Sequence, residues 1–357
     1  MKEEKHTCDI CHEERDLSEL TYFDESYLCE DCLRRETFIC RDCGDRHWND
    51  DSADGDLCQT CYDEDYVRCE RCDAVIHYDD ACYHEDEEYH DHPYCRNCFD
   101  MDEIIHDYYY KPEPIFYGDG PRYLGVELEL DDGGENEFCA SKLLDIANAQ
   151  KERMYIKHDG SLDDGFECVT HPMTLDYHIN QMPWRSILNK AVAKGYLSHQ
   201  AGTCGLHVHI SRNALGANYE EQEATIAKIL YFYEKFWNEI LTFSRRTESQ
   251  VEHWARRYGG GIINPKETLK HAKNSHMGRY AAVNLENEAT IEMRIFRGTL
   301  RYKTFMATLQ FVDLLCEMAI NLTDEEFQTM TWKEFAKTVS GDKAELKEYL
   351  KIRGLEE

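Results

Sequence analysis

Six Cys-x-x-Cys pairs fill the first hundred residues and dictate how that part of the chain can fold. They are Cys8/Cys11, Cys29/Cys32, Cys40/Cys43, Cys58/Cys61, Cys69/Cys72 and Cys95/Cys98. Taken two by two they make three units starting at residues 8, 40 and 69, an internal repeat of about thirty residues. The second pair of each unit sits in a similar phrase: SYLCEDC, GDLCQTC and HPYCRNC. Two residues between thiolates let one turn present both sulfurs to one ion, and a second such turn completes a tetrahedron. These segments hold too few apolar residues to fold alone, so metal binding and folding coincide. The spacing predicts three structural zinc sites in small treble-clef or zinc-ribbon-like modules. Consecutive and cross-braced ligand orders both satisfy it. In the third unit His77, Cys82, His84, His90 and His92 are further candidate ligands. Sites closed by four protein ligands leave no water to activate, which makes their role structural.

Charge divides the chain. The formal net charge is -31. Residues 1–110 hold 34 Asp plus Glu against 10 Lys plus Arg, so -24 of it lies there and only -7 beyond. Each four-thiolate zinc site adds about -2. Nucleic-acid binding draws most of its affinity from basic side chains on phosphates, so no nucleic-acid partner is expected. A protein partner or macromolecular substrate is the expectation for the acidic array. The start, MKEEKHTCDICHEE, has no apolar h-region. The most apolar stretch, 226–243, is broken by Lys228, Glu234, Lys235 and Glu239, which marks an amphipathic helix rather than a span. A soluble, cytoplasmic protein without membrane contact is expected. In a reducing compartment, thirteen of seventeen cysteines clustered before residue 100 point to metal rather than to disulfides.

Paired cysteines stop at a segment punctuated by Pro112, Pro114, Gly118, Gly120 and Pro121. This predicts a boundary near 112, with zinc modules in 1–111 and a second domain in 112–357. Strand patterns fall at 122–131, 154–158, 165–170, 204–211, 281–286 and 289–297. Helix patterns fall at 138–151, 176–195, 219–245, 303–321, 331–339 and 342–352. Strands cluster rather than alternate strictly with helices, which predicts an α+β domain with a largely antiparallel sheet.

Four strand segments share one chemistry. In GVELEL the apolar Val126, Leu128 and Leu130 face one way, and Glu127, Glu129 and Asp131 the other. Successive carboxylates on one face lie about 7 Å apart and can grip cations. In CGLHVHIS, Leu206, Val208 and Ile210 face the core while His207 and His209 share the opposite face. In TIEMRIFRGT, Glu292 and Arg294 lie opposite Ile291, Met293 and Ile295, a pair that fits either a cross-face salt bridge or one metal ligand beside one phosphate clamp. In KHDGSL and FECVTHP, Glu167 sits among apolar residues, where a carboxylate is costly unless paired or metal-bound. Carboxylate-rich sets that retain water select magnesium or manganese bridging nucleotide phosphates.

The phrases GVELEL, KHDGSLDDGFECVTHP, CGLHVHIS and RYAAVNL followed by TIEMRIFRGTL span 122–300. In order and content the set resembles the amidoligase family of bacteria and phages, within the glutamine-synthetase-like carboxylate–amine ligases. The resemblance implies an antiparallel-sheet ligase fold, ATP and magnesium or manganese as cofactors, and carboxylate and amine substrates, for which the acidic array makes a peptide or protein a candidate. It implies that Glu127 and Glu129 bind different metal ions, that Glu167 joins one, and that His207 with Glu292 joins the other. It places His209 by the nucleotide phosphates and Arg294 on the transferred phosphoryl group. Asp159 is a weaker candidate. Arg279, Asn284 and Arg297 are further candidates for phosphate or substrate carboxylate. Glutamine synthetases use two carboxylates in the middle segment, and here Glu167 alone is clear. Their acceptor-binding elements are not recognisable either.

Two other readings fit parts of the pattern. One is a guanidino-kinase-like phosphotransferase on the same fold. The other is a non-enzymatic zinc-finger adaptor. A zinc hydrolase built on His207 and His209 lacks a third ligand. Amide formation through a phosphorylated carboxylate needs no protein nucleophile, so Cys168 and Cys204 are expected as strand residues only. Tyr258-Gly259-Gly260-Gly261 in a basic stretch offers a lid over the nucleotide.

Overall fold

A computed structural model describes residues 5–83, 92–99, 104–259 and 264–356. The chain divides into two compact units, Met1–Asp102 and Glu103–Glu357.

The first unit repeats one order: a turn holding the first cysteine pair, a hairpin, and a short helix whose start holds the second pair, with the hairpin of the third copy described only as a Cys82–Tyr94 bridge. In the first copy Lys5–Thr7 pairs with Glu14–Asp16 around Cys8 and Cys11. Leu20–Phe23 then pairs with Ser26–Cys29, and Cys32 lies in helix Glu30–Glu36. The second copy begins at once with Thr37–Ile39, and its helix Gln59–Asp65 runs directly into Tyr66–Arg68 of the third. Each copy buries little beyond its sulfurs: Cys8, Leu28, Cys29 and Cys32 form the core of the first. Neighbouring copies share contacts. Trp48 of the second packs on that core and its indole donates to Asp24 at 2.6 Å.

The second unit starts ahead of the proline-marked position 112, because β1 (Ile105–His106) already pairs with its sheet. The other strands are β2 (Leu124–Leu130), β3 (Met154–Lys157), β4 (Phe166–Thr170), β5 (Leu206–Ser211), β6 (Val283–Asn284) and β7 (Thr290–Met293). They lie in the order β1-β3-β4-β2-β5-β7-β6, and every pairing except β1 with β3 is antiparallel. Mixed helices and a mostly antiparallel seven-stranded sheet match the α+β expectation. Val126, Leu128, Leu206, Val208, Ile210, Ile291 and Met293 are all at most 1% exposed, as alternation requires. They share a core with helix Tyr302–Asn321, which is buried nearly all round as a central helix must be.

Three expectations about elements need correction. The helix pattern at 176–195 is two helices, Leu175–Asn180 and Trp184–Ala193, because Pro183 has no amide hydrogen to continue the first. The pattern at 219–245 breaks at Phe236 into Tyr219–Lys235 and Trp237–Ser244. The strand pattern at 289–297 ends at Met293. No helix among the described residues is long and apolar enough to cross a membrane.

One glycine is fixed by close approach. A Cβ on Gly165, at the entry to β4, would run into the backbone of Leu130 and Asp131. Gly165→Ala is expected to destabilise the second unit by about 1–3 kcal/mol, as overpacking does. Its thermal midpoint should fall by several degrees, and an unchanged midpoint would show that the two backbones can part.

Candidate functional site

The first unit brings its cysteines together in consecutive order: Cys8, Cys11, Cys29, Cys32; then Cys40, Cys43, Cys58, Cys61; then Cys69, Cys72, Cys95, Cys98. Within each set the sulfurs lie within 4.8 Å of one another. Cys11 and Cys29 are 3.9 Å apart, as are Cys72 and Cys95. Four sulfurs about 2.3 Å from zinc stand roughly 3.8 Å apart, so the sets fit tetrahedral zinc. Backbone amides support the charge: Cys29 donates to Cys8 Sγ, Cys58 to Cys40 Sγ and Cys95 to Cys69 Sγ, at 3.3–3.5 Å. Burial pushes the Cys8 thiol up, but amides from Cys11, Cys29 and Ile10 outweigh it and bring it down to about 6. Of the extra candidates in the third unit, His77 caps a short helix by accepting from the Asp79 amide, and Cys82 pairs through its backbone with Tyr94. His92 lies 3.9 Å from Glu70. His84 and His90 fall outside the described residues.

In the second unit the polar faces of β2, β4, β5 and β7 converge. Register does this: Glu127 lies opposite His207, Glu129 opposite Glu167, and His209 opposite Glu292. Two groups of candidate ligands result, Glu127–His207–Glu292 and Glu129–Glu167–His207, each with its atoms within 4.8 Å. His207 belongs to both. Its Nδ1 lies 3.4 Å from Glu127 and 3.5 Å from Glu292, and its Nε2 lies 3.6 Å from Glu129. Glu129, Glu167, His207 and Glu292 are buried, and Glu127 is half-buried.

Neighbouring groups fix these side chains. Glu129 accepts from the Gly205 amide. Glu292 accepts from Arg294 Nη1 at 2.5 Å and from Asn284 Nδ2 at 2.8 Å. Arg294 Nε is buried without a hydrogen-bond partner among the described residues. His209 Nε2 lies 3.0 Å from Glu127 but without hydrogen-bond geometry.

Electrostatics here are unbalanced toward negative. Burial and the nearby Glu127, Glu129 and Asp159 push the Glu167 carboxyl well above its usual range, though Lys157 opposes them. Burial also acts to raise Glu127, but His209 and His207 hold it well below the usual range. Burial lowers His209, and Glu127 and Glu292 more than reverse that. Four acids in a buried patch, faced by Lys157 and Arg294, are the donor set that a divalent cation neutralises.

The remaining candidates separate. A cavity of about 680 Å³ is lined by Glu127, Glu167, His207, Glu292 and Arg294, together with Asp159, Arg279 and Asn284. Arg279 is held by the hydroxyls of Tyr108 and Tyr280. Asn284 is a buttress for Glu292. Arg297 lines a different cavity. Asp131 turns away from the cleft and accepts from the amides of Asp132, Asp163 and Asp164 and from the Thr203 hydroxyl. Tyr258 and Arg257 are anchored on Glu234 at 3.0 and 2.7 Å, while Gly260 and Gly261 fall outside the described residues. Burial, with Glu129 nearby, pushes the Cys204 thiol up to about 12, and burial raises Cys168 as well, so neither is a ready nucleophile.

Sequence reasoning missed Lys157, Tyr108, Tyr109 and Trp254, all on the cavity wall. Lys157 Nζ lies 3.1 Å from Glu167. Alternation along β3 was the available signal: Met154 and Ile156 are buried, which sends Tyr155 and Lys157 to the other face.

Residues 145–316 match a family model described as "Putative amidoligase enzyme". The matched segment contains Glu167, His207, His209, Glu292 and Arg294; Glu127 and Glu129 precede it. A search of curated proteins finds no match. Residues 145–316 of this chain are thus similar to an amidoligase family model, and an array of three four-cysteine clusters precedes that segment.

Proposed function

We propose that the second unit is an ATP- and magnesium-dependent carboxylate–amine ligase of glutamine-synthetase-like fold that works through an acyl phosphate. The observation that carries this reading is the pair of acid–imidazole groups sharing His207, whose members other than Glu129 line one cavity with Arg294. Magnesium or manganese fits the oxygen-rich donors, and such ions neutralise phosphate charge and act as Lewis acids. Glu127, His207 and Glu292 would hold one ion, and Glu129 with Glu167 the other. His209, 3.0 Å from Glu127 though not on the wall of the same cavity, would donate to nucleotide phosphates. Arg294, its Nη1 fixed by Glu292, keeps Nε to donate to the moving phosphoryl group. A substrate carboxylate oxygen attacks the γ-phosphorus and ADP leaves. The amine then attacks the acyl carbon, the C–O bond to phosphate breaks, and the amine loses a proton.

The protein with ATP, magnesium and candidate substrates should yield ADP, phosphate and a product whose mass is the sum of two molecules less one water. Glu127→Ala should lower all three together. A stable phosphorylated product without free phosphate would instead identify a phosphotransferase. For the zinc array the proposal is a docking role toward a basic protein partner or substrate, supported by its net charge of -24 over residues 1–110. Binding that is indifferent to salt would count against it.

A further inference from the structure

A second cavity, of about 480 Å³, has a different character. It is lined by His199, Arg245, Arg246, Arg297 and Arg353, with Leu241 and Thr242, and shares no lining residue with the carboxylate cleft. Four guanidinium groups crowd together in a strongly acidic protein. Their hydrogen bonds go to neutral carbonyls: Arg245 to Gly298, Arg246 to Ile295 and Phe296, and Arg353 to Thr242. Among the described residues no ion pair joins any of the four to a carboxylate. Arg297 Nε is buried with no hydrogen-bond partner among them. Arg246 is only 6% exposed.

Buried charge is costly unless paired. Here the neighbours make the cost larger, because Arg297, Arg353 and Arg301 add to burial in acting against the charge on Arg245. Arg245 also stands in the left-handed region at φ 64°, a conformation unusual for a residue other than glycine. Glu129 is the acid nearest in effect to Arg246, and it is already engaged by the Gly205 amide on the cleft side. A fold that gathers four such groups with no carboxylate in ion-pair contact among the described residues leaves that counter-charge to a ligand.

We propose that this pocket binds a phosphate-class dianion, inorganic phosphate or a phosphate monoester, at a site separate from the carboxylate cleft. A single carboxylate carries one charge and accepts one bidentate fork in its plane. Phosphate carries close to two charges and offers tetrahedrally disposed oxygens, which suits guanidinium groups arriving from three chain segments. The proposal stands whether or not the cleft forms amides.

The test uses the full zinc-loaded chain without nucleotide or added magnesium, so that no divalent ion bridges phosphate to the cleft. Inorganic phosphate, O-phosphoserine and succinate are titrated by calorimetry. Both phosphate compounds should bind saturably at one site, with succinate about tenfold weaker or more. Arg353→Ala and Arg297→Lys should each weaken phosphate binding about tenfold, the scale of one lost charge-assisted fork. Glu127→Ala should leave it intact. The His199 imidazole gives a second readout by NMR. Burial and the positive charge of Arg245, Arg297 and Arg301 depress its pKa, and a bound dianion should move it up. Unchanged affinity in both arginine variants, loss in Glu127→Ala, or succinate binding as tightly as phosphate would each overturn the assignment.

Discussion

Chelating zinc is expected to unfold the described part of the first unit while that of the second stays folded. Structural zinc contributes an apparent 10–16 kcal/mol or so per site near neutral pH. A whole domain is stable by only about 5–15 kcal/mol. The first module has little else to hold it: two cysteine pairs, Leu28, and partly buried Leu20, Phe23, Leu33 and Trp48. The second module is similar, with Leu57 among its sulfurs. Metal analysis should return about three zinc ions per chain, in line with the three clusters. After chelation, limited proteolysis should digest the array and leave a resistant C-terminal fragment. A single Cys58→Ser exchange should do more than melt its own module. Trp48 of that module packs on Phe23 of the one before, with ring centroids 5.1 Å apart, so its fluorescence should shift too. A protease-resistant array after complete zinc loss would refute this account.

The largest effect on activity is expected from His207→Ala. This ring is buried, and its two nitrogens face Glu127 and Glu292 on one side and Glu129 on the other. Its removal disturbs both groups of ligands at once and leaves four acids with less to separate them. If the cleft works as the proposed ATP-dependent ligase, turnover of ATP should fall about 10³-fold, the upper range for losing one preorganised electrostatic element. The magnesium concentration for half-maximal activity should rise in parallel. His209→Ala, which faces chiefly Glu127, should cost less, about 10–100-fold. Near-normal turnover in His207→Ala, with unchanged magnesium dependence, would remove the basis for a two-cation cleft.

Much of this was legible in the sequence because two periodicities were unusually clean. The thirty-residue cysteine repeat fixed the three clusters, and only the ligand order had to come from the structure. Period-two alternation in GVELEL, LHVHIS and TIEM put Glu127, Glu129, His207, His209 and Glu292 on one face correctly, because each segment is a real strand with a buried opposite face. Alternation failed where strands stopped. Asp131 lies just past β2, and Asp132 turns the chain at φ 62°, so Asp131 ties down a turn instead of entering the cleft. Arg297 lies past the end of β7 and reaches the arginine pocket. Cross-strand register was also invisible. Nothing local to KHDG says that Lys157 will lie opposite Glu167, since that pairing depends on how β3 and β4 align. The tyrosines at 108 and 109 belong to a loop that no periodicity describes.

The shared position of His207 limits how the cleft can fill. A neutral imidazole has one lone pair to give and one N–H to donate, on opposite nitrogens. If Nδ1 gives its pair to a cation between Glu127 and Glu292, the proton sits on Nε2 and points at Glu129. Closing that 3.6 Å gap to a hydrogen bond would orient the ring and raise its basicity. The Glu129–Glu167 side would then have two protein ligands against three and take its cation more weakly. Loading should therefore be sequential rather than simultaneous, with a tight step followed by a looser one that a nucleotide's own oxygens complete.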